Sequence, residues 1–127
     1  MDGYSGKPLI EKLGYEPDDS VYIVNAPDWF ARELGQHNVV ALPGLPATWA
    51  HAFFTKQVDM ITFLQTTDLK EIEKGLWMSW PKKASQTASD LTEQDFRDYI
   101  LPLGWVDVKV AAIDDTWSGL KFVRRKT

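Results

Sequence analysis

Trp80-Pro81-Lys82-Lys83 closes an apolar run and is the tightest grouping of residues able to hold a ligand. A lysine ammonium is a strong point charge for a phosphate or carboxylate, and an indole stacks on a ring. The tetrad also has a plainer reading, in which Pro81 stops a strand, Trp80 caps the core and Lys82 and Lys83 solubilise a loop. A second grouping, Asp114-Asp115-Thr116-Trp117-Ser118, sets two carboxylates and two hydroxyls around one large aromatic. It reads as a functional turn, or as ordinary turn chemistry with Trp117 folded back on a sheet. Asn25 follows the β-rich run Val21-Tyr22-Ile23-Val24, where it can hydrogen-bond a ligand or cap the next helix. Asn25, Trp80, Lys82, Lys83, Asp114, Trp117 and Ser118 are therefore the candidate ligand residues, with Asp114 or Asp115 as candidate acid or base.

Other chemistries find less support. His37 and His51 are far apart with no supporting ligand pattern, so no metal site is expected. His51, beside Trp49 and Phe53, reads as a core histidine. Ser79 has neither elbow glycines nor a partnered histidine, which argues against serine hydrolysis. Gly3-Tyr4-Ser5-Gly6-Lys7-Pro8 superficially resembles a phosphate loop but lacks its spacing and a preceding strand. The chain has no cysteine, hence no thiolate nucleophile and no disulfide.

These residues need a scaffold, and 127 of them make one domain, 1–127. An apolar fraction of 44% is that of a globular chain able to bury its own core. The net charge of -4 makes nucleic-acid binding unexpected. Lys121, Arg124, Arg125 and Lys126 form the one basic concentration, either a solvated strand end or a contact for an acidic partner. No run approaches the ~18 apolar residues of a membrane span. Met1-Asp2-Gly3-Tyr4 lacks the basic and apolar regions of a signal peptide, so a cytoplasmic location is expected.

Pro8 and Gly14 bracket a short helix, and a second helix starts at Ala26-Pro27-Asp28 and is expected to stop at Gly35. Val21-Tyr22-Ile23-Val24, Val39-Val40-Ala41-Leu42, residues 49–55 and Leu76-Trp77-Met78-Ser79-Trp80 read as the first four strands. Between the last two, Val58, Ile61, Leu64, Leu69 and Ile72 follow helical spacing, broken near Thr66-Thr67-Asp68 and ended by Lys74-Gly75. Residues 82–89 are a polar loop. Asp90 or Thr92 caps the next helix, and Thr92-Glu93-Gln94-Asp95 resembles a capping box. Phe96, Tyr99, Ile100 and Leu103 form its apolar stripe. Residues 105–113 make a fifth strand with Val106, Val108, Val110 and Ala112 on one face. A turn over 114–119 leads to a sixth, 120–124, antiparallel to its neighbour. Asp107 and Lys109 read as charges guarding an edge strand, or as a partner-binding edge. Strands alternating with helices predict an α/β fold, a mostly parallel sheet with helices on both faces and a closing antiparallel hairpin. The connection from Leu42 to Trp49 is too short for a helix. It works if the third strand lies across the first on its other side.

Several segments resemble an uncharacterised family of short bacterial proteins, classed as a domain of unknown function. They are Gly6-Lys7-Pro8-Leu9, Val24-Asn25-Ala26-Pro27, Trp77-Met78-Ser79-Trp80-Pro81-Lys82-Lys83, Asp90-Leu91-Thr92-Glu93 and Val106-Asp107-Val108-Lys109-Val110. Asp115-Thr116-Trp117-Ser118-Gly119-Leu120-Lys121-Phe122-Val123-Arg124 completes the set, which runs in order over nearly the whole chain. The resemblance implies no activity. The topology distantly resembles a trimmed class I methyltransferase, a three-layer Rossmann-like fold, which implies six strands in the spatial order 2-1-3-4-6-5. Those enzymes carry a Gly-x-Gly-x-Gly loop after their first strand, and this chain has Asn25-Ala26-Pro27-Asp28-Trp29 there. The resemblance therefore does not extend to S-adenosylmethionine held in the usual mode. Taken together, the residues point to a non-catalytic binding or interaction module, taking a small anionic ligand or a protein partner. The alternative is an enzyme acting on a small anionic ligand at the carboxyl edge of the sheet, with Lys82 or Lys83 holding it.

Overall fold

The computed structural model describes residues 7–126. Residues 1–6, which carry the signal-peptide reading and most of the phosphate-loop-like stretch, lie outside the described residues. The fold is α/β, a six-stranded mixed sheet with helices packed on both faces.

Helix α1 (Leu9–Lys12) is a single turn entered through Pro8, whose fixed φ suits a helix start. Gly14, at φ +89, then takes the left-handed conformation that lets the chain reverse into β1 (Ser20–Val24). Helix α2 (Asp28–Gln36) starts after Pro27 and runs through Gly35 rather than stopping there. Strands β2 (Val40–Leu42) and β3 (Ala47–Phe53) follow, then helix α3 (Gln57–Thr66) and strand β4 (Ile72–Pro81). Helix α4 (Glu93–Ile100) begins at a true capping box: the Thr92 hydroxyl accepts from the Asp95 amide, and Asp95 accepts from the Thr92 amide. Strands β5 (Trp105–Ala112) and β6 (Trp117–Arg124) close the chain.

The strand order is β2-β1-β3-β4-β6-β5, the order expected. Strands β1 to β4 pair in parallel, while β6 lies antiparallel between β4 and β5. Both β6 pairings are antiparallel, so the sheet is mixed. Helices α1 and α2 cover one face over Val21, Trp49, Phe53 and Trp77. Helices α3 and α4 cover the other over Ala50, Leu76, Met78, Trp80 and Phe122. Residues 43–46 bridge β2 to β3, which flank β1 on its two sides. Leu45 packs into the α3 side, so the bridge crosses β1 on that face.

Four expectations need correction. Ile72-Glu73-Lys74-Gly75 belongs to β4 and not to the helix before it. Gly75 is a close-approach residue: a Cβ there would lie 2.7 Å from the Trp49 ring. Trp117, Ser118 and Gly119 are strand and not turn. In α4, Phe96 and Ile100 are buried, but Tyr99 is 41% exposed, and Leu103 beyond it is 50% exposed. In β5, Val108 and Val110 are half exposed, while Trp105 and Ala111, and Ile113 just beyond the strand, are buried. A bulge between Asp107 and Lys109 shifts the register there, which breaks simple alternation.

β5 is an edge strand, and both of its charges are engaged. Asp107 accepts from Arg97 Nε at 2.9 Å, and Lys109 Nζ donates to the Lys12 carbonyl at 2.6 Å. The Arg97 guanidinium, also paired with Glu93, holds the Asp107 carboxyl below its ordinary range.

Candidate functional site

The helix after β1 packs on one face of the sheet and the helix after β3 packs on the other. β1 and β3 are neighbours. Their connections diverge at the carboxyl edge and leave a crevice there, the place where open α/β sheets take ligands. A depression of about 370 Å³ occupies this position, lined by Asn25, Phe53, Phe54, Thr55, Asp59 and Trp117.

Each wall has a local cause. Asn25 ends β1 in the left-handed region, φ 56, which asparagine tolerates better than most residues. Its side chain is exposed, and the N-cap residue of α2 is Pro27 with no side-chain cap, so Asn25 does not cap that helix. Phe53 and Phe54 close β3 on opposite faces, one in each core cluster. Trp117 opens β6 and meets Phe53 edge-on, with ring centroids 5.2 Å apart at 90°. Asp59 lies in the first turn of α3. The loop over 82–92 is tied to that helix start. Asp90 accepts from the Gln57 amide at 2.7 Å, and the Asp90 amide donates to the Thr55 carbonyl at 3.2 Å.

The remaining candidates divide differently from the sequence reading. Lys82 and Lys83 line a separate depression of about 440 Å³, together with Pro81 and residues 86–92. Trp80 points away from the edge: it is 8% exposed and packs on Phe96 at 5.1 Å, beneath α4. Asp114 uses one carboxylate oxygen on two turn amides, those of Thr116 at 2.9 Å and Trp117 at 2.7 Å. Lys82 joins this turn only through its backbone, its amide donating to the Thr116 carbonyl at 2.8 Å. Ser118 pairs across the sheet with Trp80 and Ala112. Asp115 is exposed. Asn25 and Trp117 share one depression while the lysines occupy another.

Ser79 does have a histidine partner, contrary to the sequence reading. His51 Nε2 lies 2.7 Å from Ser79 Oγ, and its Nδ1 lies 2.9 Å from the Tyr15 hydroxyl. His51 and Ser79 have no exposure at all, and Tyr15 almost none. Burial pushes the Tyr15 phenol up and the His51 imidazole down to about 3. The phenol therefore keeps its proton and the imidazole stays neutral, so the ring donates through one nitrogen and accepts through the other. Phe53 stacks on the imidazole at 4.5 Å. This is a sealed polar relay inside the core and offers no nucleophile to solvent. Among the described residues, no group of three or more His, Asp or Glu could hold a metal ion. No described helix is long and apolar enough to cross a membrane.

The chain matches no protein-family model and no curated protein.

Sequence reasoning did not single out Phe53, Phe54 or Asp59. The available signal was weak: two consecutive aromatics at a strand end, followed by an acid in the first turn of the next helix.

Proposed function

We propose that the chain is a small-molecule binding module without catalytic machinery. Its scaffold is a methyltransferase-like variant of the Rossmann architecture that lacks the glycine-rich cofactor loop. The strand order, with one reversed strand between β4 and β5, supports the scaffold reading. The observation that carries the functional reading is the depression at the β1–β3 crevice, with the partly exposed Trp117 on its wall and Phe53 and Phe54 buried beneath. S-adenosylmethionine does not fit there in the usual mode. Pro27 offers no amide donor, and no glycine follows β1 to let the backbone approach a cofactor. Asp59 is the only ionisable side chain in the lining, and the one buried histidine is sealed from it. A base–nucleophile pair therefore has no place to act.

The second reading, an enzyme on a small anionic ligand, rests on Lys82 and Lys83 in the neighbouring depression. Of the two carboxylates it would use, Asp114 spends one oxygen on turn amides, Asp115 is exposed, and neither lines that depression.

The test is a screen of ring-bearing fragments by amide NMR. The Asn25 and Thr55 amides and the Trp117 indole N–H are expected to shift together, and Trp117→Ala to abolish the shifts. S-adenosylmethionine should leave them unmoved. Shifts confined to residues 82–92 would favour the second reading. No hit at either depression would overturn the binding proposal.

A further inference from the structure

We infer that the β1–β3 depression takes a small organic cation, an ammonium-bearing molecule, rather than the anion that the paired lysines suggested. The inference rests on the binding reading above and names its ligand class.

Charge is the first argument. The lining holds Asp59 and no lysine, arginine or histidine. Helix α3 begins at this crevice, and a helix N-terminus carries roughly half a positive charge. Two full carboxylates already answer it: Asp59 within its first turn and Asp90 on its Gln57 amide. Helix α2 likewise has Asp28 in its first turn. The field at the depression is thus negative on balance. The nearest paired cations, Lys82 and Lys83, face the other depression. Lys56, exposed just before α3, is outnumbered by Asp28, Asp59 and Asp90, so an anion entering here would meet more carboxylate than counter-charge.

The walls are the second argument. Phe53 and Trp117 stand at right angles, and of this corner only Trp117 reaches the surface, since Phe53 is buried beneath it. The π-electron density of such a ring attracts a positive charge held close to it, most strongly when water is partly excluded. The Asn25 side-chain carbonyl and the Thr55 hydroxyl add neutral acceptors on the rim. Aromatic surface, one carboxylate and oxygen acceptors suit an alkylammonium head. They do not suit a phosphate.

The experiment uses choline, its neutral carbon isostere 3,3-dimethylbutan-1-ol, and benzoate, each titrated into the full chain and read by amide NMR. Choline is expected to move the Asn25 and Thr55 amides and the Trp117 indole N–H. The isostere should bind about tenfold more weakly, the difference a cation–π and carboxylate contact supplies. Asp59→Asn should weaken choline about fivefold, as for loss of a partly exposed charge partner, with Tm nearly unchanged. Trp117→Phe, which keeps a ring at the corner, should weaken choline without abolishing it. Equal binding by choline and the isostere, or binding by benzoate alone, would overturn the cation inference and leave the site standing. The same holds if none of the three probes moves these resonances while a screened fragment does. If no probe and no fragment moves them, both inference and site fall.

Discussion

His51 shows how one residue ties stability to pH. The unfolded chain takes up a proton on this imidazole near 6.5, whereas the folded chain does so only near 3. Acid therefore favours the unfolded state. The stability present above pH 6.5 is lost as pH falls towards 3, at about 1.4 kcal/mol per pH unit. In urea unfolding, the stability gap between wild type and His51→Gln should narrow at that rate below pH 6. A gap that stays constant from pH 7 to 4.5 would contradict this. Sequence placed His51 in the core, but its partners lie 36 and 28 residues away, at Tyr15 and Ser79. A hydrogen bond across that separation leaves no local pattern, so Ser79 read as unpartnered. Trp80 was hidden for a related reason. β4 is buried on both faces, so its apolar run does not say which side each residue takes.

At the scale of elements, most strands were legible as runs of β-branched and aromatic residues, and β2 and β4 also stop at a proline. The capping box at Thr92 was legible too, being contained in four consecutive residues. Boundaries failed where a tertiary demand overrode a local signal. Gly75 reads as a helix stop, yet it sits in a strand because Trp49 needs the space a Cβ would fill. The exposed stretch of β5 was misassigned because one bulged residue reverses which face the following side chains take. Asp90 or Thr92 was expected to cap α4; Thr92 does, and Asp90 instead serves α3, which has no side-chain cap from its own N-cap residue, Lys56. Asp90→Ala should cost about 0.5–2 kcal/mol, as loss of an N-cap does, and Asp90→Asn much less. Hydrogen exchange at the Gln57 amide should rise in the alanine variant alone. Unchanged exchange there would show that the loop is held by other contacts.

At the scale of the molecule, the sheet order decided where a site could be; the alternation of strands and helices pointed to the α/β class, and the expected order came from the methyltransferase resemblance. What sequence could not supply was the division of the carboxyl edge into two depressions of different lining, one with an acid and aromatics, one with lysines. That division depends on how the 82–92 loop is tied down. The bridge over residues 43–46 has a consequence of another kind. It must span two strand spacings, about 9.6 Å, and a register offset of about three residues, about 10 Å, so about 14 Å in all. Five peptide steps reach at most about 17 Å. Deleting Gly44 leaves no slack to pass over β1, and the variant should lose cooperative unfolding by circular dichroism, whereas inserting one glycine there should be tolerated. A bridge this short also constrains the order of assembly. Once β2 and β3 have set on either side of a gap, β1 would have to thread beneath a closed loop. β1 therefore has to be laid down first or together with its neighbours, and it is the one strand of this sheet that cannot arrive last.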